Sequence, residues 1–356
     1  MDRAEADKLS AQCTTFLHGH GRREPADLLA ELSGDMVADE YGDGGIVAEL
    51  ESEVAELLGT EAACFFVSGT MAQQAALRIH ADARGHRTVA FHPTCHVAEH
   101  EEGAFEHLHG LIGRPVGDRQ RLITLADLET LVEPLAALLL ELPQREIGGQ
   151  LPEWDELVTQ VDWARERAIP LHLDGARLWQ CPPAWGRSLA DIAGLFDTIY
   201  VSFYKDLGGL AGSCLAGRRS VIDQARVWRR RHGGTLYGLW PLAASARSVL
   251  EHRLPRMADY RRHALDIAAA VGGVDRVRVV PDPPHASMMH LLLQGDSEAL
   301  ADRMHTLARD EETWTWRRTW PTDHPDWQVV ELTVGDATMG VAASEVARVL
   351  EMIVDA

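Results

Sequence analysis

Four short stretches carry side chains whose chemistry belongs together. FFVSGTMAQQ (65–74) sets Ser68, Gly69 and Thr70 between an apolar run and a helix-like segment. A helix N-terminus offers unpaired N–H groups and a partial positive charge, so such a turn can hold a phosphate. Gly69 lets the backbone approach closely and Thr70 adds a hydroxyl. CHVAEHEEGAF (95–105) supplies His96, an imidazole able to stack on a flat ring. PLHLDGARLW (170–179) places Asp174 at the end of a strand-like run, where ligand groups project in an α/β sheet. SFYKDLGGLAGS (202–213) follows the next β-prone run and brings Lys205, with Ser202 three residues earlier. A desolvated lysine gives up its proton readily and can form a Schiff base.

Each stretch has a plainer reading by itself. A strand–Ser–Gly–Thr–helix turn is most often a simple N-cap, and a buried aspartate is most often a cap or an ion pair, here with Arg177. Lys205 alone is indistinguishable from a solubilising surface charge. His96 and His100 have i,i+4 spacing, but no second cluster completes a metal shell, so no metal is expected. Taken in order, however, the four supply an anion site, a stacking ring, a carboxylate for a ring nitrogen and an amine for an aldehyde. Pyridoxal 5′-phosphate asks for that set.

The elements that must position these groups alternate. GIVAELESEVAELLG (45–59) puts Val47, Leu50, Val54 and Leu57 on one helical face, ending at Gly59. ACFFV (63–67), TVAFH (88–92), LAALLLEL (135–142), IPLHLD (169–174), TIYVSF and SCLAG read as buried strands. TMAQQAALRIHADAR (70–84) and EWDELVTQVDWARER (153–167) read as helices between them. Wholly apolar strands separated by helices predict a parallel-dominated sheet covered on both faces. A basic helix around 226–231 and a helical stretch over 241–271 follow. The last part mixes HASMMHLLLQ and WQVVELTV with SEALADRMHTLARD and SEVARVLEMIV, the mark of a smaller α+β domain. The expected division is an N-terminal segment 1–35, a cofactor-binding domain 36–245 and a small C-terminal domain 246–356.

A formal charge of −20 argues against nucleic acid or an anionic membrane surface as a partner. The N-terminal MDRAEADKLS has no apolar signal core, and no apolar run approaches the ~20 residues of a membrane span. The five cysteines have no CxxC spacing, and Cys64 and Cys214 lie in apolar runs as core thiols. A reduced, cytoplasmic protein is expected. RVWRRRHGG (226–234) reads as a solvated helix end or as a phosphate clamp. WTWRRTW (314–320) reads as core or interface packing.

The segments DEYGDGGIVAELESEVAELLG, FFVSGTMAQQAAL, CHVAEHEEGAF, LHLDGARLW and SFYKDLGGLAGS resemble the threonine aldolase and β-eliminating lyase family of fold-type I pyridoxal-phosphate enzymes. The resemblance runs from about residue 35 to 245. It implies a large domain with a mostly parallel, seven-stranded-type sheet, a smaller C-terminal α+β domain, and a homodimer or homotetramer. By the same resemblance Lys205 would carry the cofactor aldehyde and Asp174 would keep the pyridine nitrogen protonated. His96 would stack on the ring, and Ser68, Gly69, Thr70 and Ser202 would surround the phosphate. Arg177 would grip the substrate carboxylate, a task suited to a guanidinium.

Four positions depart from the family pattern. Gln144 stands where a histidine meets the substrate hydroxyl. Tyr237 in HGGTLYG replaces an arginine near the partner's phosphate. Glu331 in VVELTV stands near an expected second arginine, and Asp206 replaces the glycine after the lysine. FLHGHGRREP brings His18, His20 and the Arg22–Arg23 pair in place of a serine-containing segment. The implied activity is Cα–Cβ cleavage of a β-hydroxy amino acid to glycine and an aldehyde, with His96 as base. The alternative is β-elimination or a transaldolase-type reaction on another amino acid.

Overall fold

The computed structural model describes residues 1–30, 32 and 35–355. The chain forms two compact units, Leu28–Glu146 with Leu151–Pro255, and Met1–Asp27 with Ile147–Gln150 and Arg256–Ala356.

The larger unit is built on seven strands: β1 (Ala62–Phe66), β2 (Thr88–Phe91), β3 (Ile112–Pro115), β4 (Ala137–Glu141), β5 (Leu171–Gly175), β6 (Thr198–Ser202) and β7 (Ser213–Gly217). Their order across the sheet is β1-β7-β6-β5-β4-β2-β3, and β7 is the strand that runs against the rest. Every residue of β1, β4, β5, β6 and β7 is buried. This is why they read as unbroken apolar runs rather than alternating ones. β3, with sequence IGRP, is mostly exposed at the sheet edge. Its glycine and proline suit an edge, where a missing ladder donor is tolerated, and they hid the strand from an apolar-run reading.

The helix Gly69–Arg84 packs on the sheet through Ala72, Ala75, Ala76 and Ile79, in one core cluster with Cys64, Phe66, Tyr200 and Leu215. Small residues let the helix lie close to the strands. The helix Gly45–Leu57 buries Ile46, Val47, Leu50 and Val54, and Leu58 rather than Leu57 completes its apolar face. The five cysteines are buried free thiols. The basic stretch ends the helix Arg219–Arg231, and two of its arginines are tied to neighbouring groups of the fold. Arg226 pairs with Glu51 at 2.6 Å, and the buried Arg229 donates to the Phe65 carbonyl at 2.8 Å.

The smaller unit has a four-stranded antiparallel sheet in the order Trp320–Pro321, Trp327–Thr333, Met288–Gln294, Val277–Val280. Burial alternates along Trp327–Thr333, so one face is turned to the core, and the helix Met257–Val271 packs against Met288–Gln294 and Val277–Val280. Thr15–Phe16 pairs in parallel with Thr313–Trp314, which ties the N-terminal segment into this unit. Within the tryptophan group Trp316 is buried and donates Nε1–H to the Glu331 carbonyl at 2.7 Å, whereas Trp320 is exposed.

Candidate active site

Adjacent parallel strands β4, β5 and β6 bring their C-terminal ends to one edge. Glu141 lies beside Asp174 in register, Asp174 lies beside Tyr200, and Lys205 follows Ser202 by three residues. Asp174 is fully buried. Its Oδ2 accepts Gln73 Nε2–H at 2.7 Å and its Oδ1 accepts the Ala176 N–H at 3.1 Å. Burial raises its carboxyl above the ordinary range, against the pull of His96 and these two donors.

His96 opens a short helix over this edge, with its side chain about a quarter exposed. Its Nδ1 meets Glu101 Oε1 at 3.2 Å, and Glu101 is itself buried and held by Gln74 Nε2 at 2.7 Å. Burial opposes charge on this imidazole, but the Glu101 hydrogen bond and the nearby charge of Asp174 outweigh it, so its pKa rises. The Lys205 ammonium acts in the opposite sense, which places Lys205 within electrostatic reach of the ring. Lys205 Nζ lies 5.3 Å from the Tyr204 ring centroid.

Arg177 is buried and pairs through Nε with Asp206 Oδ1 at 3.5 Å. Asp206 is thus a partner of Arg177. The phosphate-type turn is also a real cap: Ser68 Oγ accepts the Met71 N–H at 3.3 Å, and the helix begins at Gly69. Gly69 has a sharper reason to be glycine than backbone approach to a ligand. A Cβ there would lie 2.0 Å from the Tyr200 hydroxyl oxygen. Among the described residues the buried Ser202 Oγ has no hydrogen-bond partner.

The model of the β-eliminating lyase family matches residues 27–293. The chain belongs to that family. Two solved structures from the same group of folds cover nearly all of it. A Listeria monocytogenes protein assigned as an L-allo-threonine aldolase is 35% identical with a TM-score of 0.92, covering 98% of this chain and 99% of its own. An Exiguobacterium protein assigned as an aromatic amino acid β-eliminating lyase/threonine aldolase is 38% identical at the same TM-score, covering 98% of each chain. A low-specificity L-threonine aldolase of Arabidopsis thaliana is 26% identical over 79% of this chain and 81% of its own. The chain spans only 61% and 63% of the length of two other curated relatives. The architecture is that of fold-type I pyridoxal-phosphate enzymes.

The residues present fit the cofactor of this β-eliminating lyase fold. A lysine and a buried, hydrogen-bonded carboxylate stand at neighbouring strand ends, an oriented imidazole lies beside them, and an unpaired buried hydroxyl waits at Ser202. Ser68, Gly69, Thr70, His96, Asp174, Arg177, Ser202 and Lys205 all belong to the larger unit. Gln144 belongs there too, but it is buried and its amide donates to Glu141 Oε2 and the Thr94 carbonyl, each at 3.4 Å. Tyr237 is exposed and packs edge-on against Tyr41. His20 and Glu331 lie in the smaller unit, where His20 Nδ1 accepts the Asp336 N–H at 3.2 Å. Among the described residues no three or more His, Cys, Asp or Glu side chains converge as a metal group.

Four neighbours of the site escape a sequence reading. Gln73 and Gln74 are buried glutamines in an alanine-rich helix, and their side-by-side placement was the available signal. Glu101 sits in an acidic run that looks solvated. Glu141 ends an apolar strand, and burial followed by the charge of Asp174 pushes its carboxyl up to about 7.

Proposed function

We propose that this chain is a pyridoxal-phosphate-dependent carbon–carbon lyase that splits the Cα–Cβ bond of a β-hydroxy amino acid into glycine and an aldehyde. The observation that carries this is the convergence of Lys205, buried Asp174 and Glu101-held His96 on one strand edge, in a β-eliminating lyase family member. The cofactor is pyridoxal 5′-phosphate, which when bound supplies the electron sink for the Cα carbanion. Lys205 Nζ would hold the cofactor aldehyde, Asp174 would keep the ring nitrogen protonated, and Ser68, Gly69, Thr70 and Ser202 would surround the phosphate. Arg177 orients the substrate carboxylate, with Asp206 setting its guanidinium. His96, its Nδ1 engaged by Glu101, takes the β-hydroxyl proton at Nε2 directly or through a water.

Cofactor binding falls within residues 36–245, flanked by the segment 1–35 and the domain 246–356. The five buried free thiols support a reducing, cytoplasmic setting. Assembly as a homodimer or homotetramer belongs to the same reading and rests on the family resemblance. No helix among the described residues is long and apolar enough to cross a membrane.

A second reading, β-elimination or a transaldolase-type reaction on another amino acid, is favoured by one feature. Gln144 stands where the family places a histidine and turns its amide to Glu141. Both readings are tested by incubating cofactor-loaded protein with L-threonine, L-allo-threonine and other β-hydroxy amino acids and trapping the aldehyde by reduction. Aldehyde release supports the lyase. No turnover of any β-hydroxy amino acid refutes it.

A further inference from the structure

Asp174 stands at the end of a row of buried polar side chains between the helix Gly69–Arg84 and strands β5 and β6. Gln73 Nε2 donates to Asp174 Oδ2 at 2.7 Å, and Gln73 Oε1 faces His172 Nε2 at 3.2 Å. His172 Nδ1 faces Thr198 Oγ1 at 2.9 Å, and Thr198 Oγ1 faces His80 Nε2 at 2.8 Å. All five residues are buried. The chemistry proposed above uses Asp174 and leaves the other four without a role.

The row has one consistent direction. A carboxylate only accepts, so Gln73 must turn its NH2 toward Asp174. Gln73 Oε1 then accepts, and His172 Nε2 must carry the hydrogen. A neutral imidazole has one N–H, so His172 Nδ1 accepts from the Thr198 hydroxyl. The Thr198 oxygen in turn accepts His80 Nε2–H. Burial draws His172 down to about 3 and His80 down to about 4, so both rings are neutral near pH 7, as the row requires. A carboxamide has nearly the same shape end for end. Rotated by half a turn, Gln73 would set Oε1 against Asp174, which is tolerable only when Asp174 holds a proton. The His172 tautomer decides which end faces Asp174, and Thr198 and His80 decide the tautomer.

We propose that Gln73, His172, Thr198 and His80 are positioning residues that lock the Gln73 N–H toward Asp174 and so keep Asp174 a charged acceptor for the cofactor's ring nitrogen. This rests on the pyridoxal-phosphate reading above. The four act through Asp174.

Thr198→Val is close in volume and removes the hydroxyl in the middle of the row; Thr198→Ser restores it. Cofactor-free protein of each kind is titrated with pyridoxal 5′-phosphate and with 1-deazapyridoxal 5′-phosphate, whose ring has C–H in place of nitrogen. Thr198→Val should weaken pyridoxal-phosphate binding about tenfold, the scale of one charge-assisted hydrogen bond. It should leave the deaza analogue nearly unaffected, and Thr198→Ser should bind both as wild type does. Equal loss for the two ligands, or no loss for either, overturns the proposal, since a merely structural role affects both alike. Nitrogen-15 NMR of histidine-labelled, cofactor-free wild type decides independently, even if Thr198→Val does not fold. Hydrogen on Nε2 of both His172 and His80 is expected, and hydrogen on Nδ1 of His172 refutes the lock. Failure of wild type to bind pyridoxal phosphate at all would refute the earlier reading instead.

Discussion

Replacing Gly69 with alanine tests how the helix N-terminus and β6 share space. The added Cβ would lie 2.0 Å from the Tyr200 hydroxyl oxygen, 2.6 Å from Cζ and 3.0 Å from Cε2. Ordinary contact starts near 3.4 Å, so the oxygen must retreat by about 1.4 Å (3.4 minus 2.0). Tyr200 is 3% exposed and packed among Phe66, Ala72 and Leu215, so the ring has nowhere to swing and the helix start must shift instead. Overpacking of this kind costs about 1–3 kcal/mol, and a clash this deep belongs at the upper end, about 3 kcal/mol. Urea unfolding of Gly69→Ala measures it, and titration with pyridoxal phosphate should show about tenfold weaker binding as Ser68 to Thr70 move. Tyr200→Phe removes the 2.0 Å contact but leaves Cζ at 2.6 Å, so the double variant should recover only part, about 1 kcal/mol. Additive single-variant effects, within about 0.5 kcal/mol, would show that Gly69 is glycine for some other reason.

Arg177→Lys should raise KM for an amino-acid substrate about tenfold while leaving cofactor affinity near wild type, because an ammonium lacks the guanidinium fork; an unchanged KM removes Arg177 from the substrate. Asp206→Gly should keep cofactor binding and change KM through Arg177, and a variant that cannot bind cofactor would contradict this. Glu141 has a folded pKa of about 7, above its ordinary value of 4.5. Its contribution to stability is therefore full below about pH 4.5 and is lost as pH rises to about 7. The stability of wild type relative to Glu141→Gln should fall across that window, and a rise there would refute the assignment. Glu101→Gln should lower the His96 pKa in an NMR titration; an unmoved value would mean that Glu101 does not hold the ring.

Much of the fold is legible in the sequence because five strands are buried on both faces and therefore apolar throughout. β3 is not, because an edge strand answers to solvent and its glycine and proline carry no apolar signal. The place of the N-terminal segment is hidden for another reason: Thr15–Phe16 pairs with Thr313–Trp314, nearly the whole chain away. In the site, Lys205, Asp174 and the Ser68–Thr70 turn stand out because their types are costly at strand ends. Gln73 and Glu101 look like ordinary polar residues until their partners Asp174 and His96 are brought beside them, and Asp206 stands out in the sequence without showing that it meets Arg177. A buried glutamine is told from a surface one only by what it touches, and its contact with Asp174 joins two distant segments.

The fate of L-threonine on cofactor-loaded protein tests the central claim most directly. Products are quantified together: glycine and acetaldehyde from Cα–Cβ cleavage, 2-oxobutanoate and ammonia from loss of the β-hydroxyl. Glycine and acetaldehyde in equal amounts, abolished by Lys205→Ala, is the expected result. 2-Oxobutanoate and ammonia without glycine would contradict it and assign the site to β-elimination.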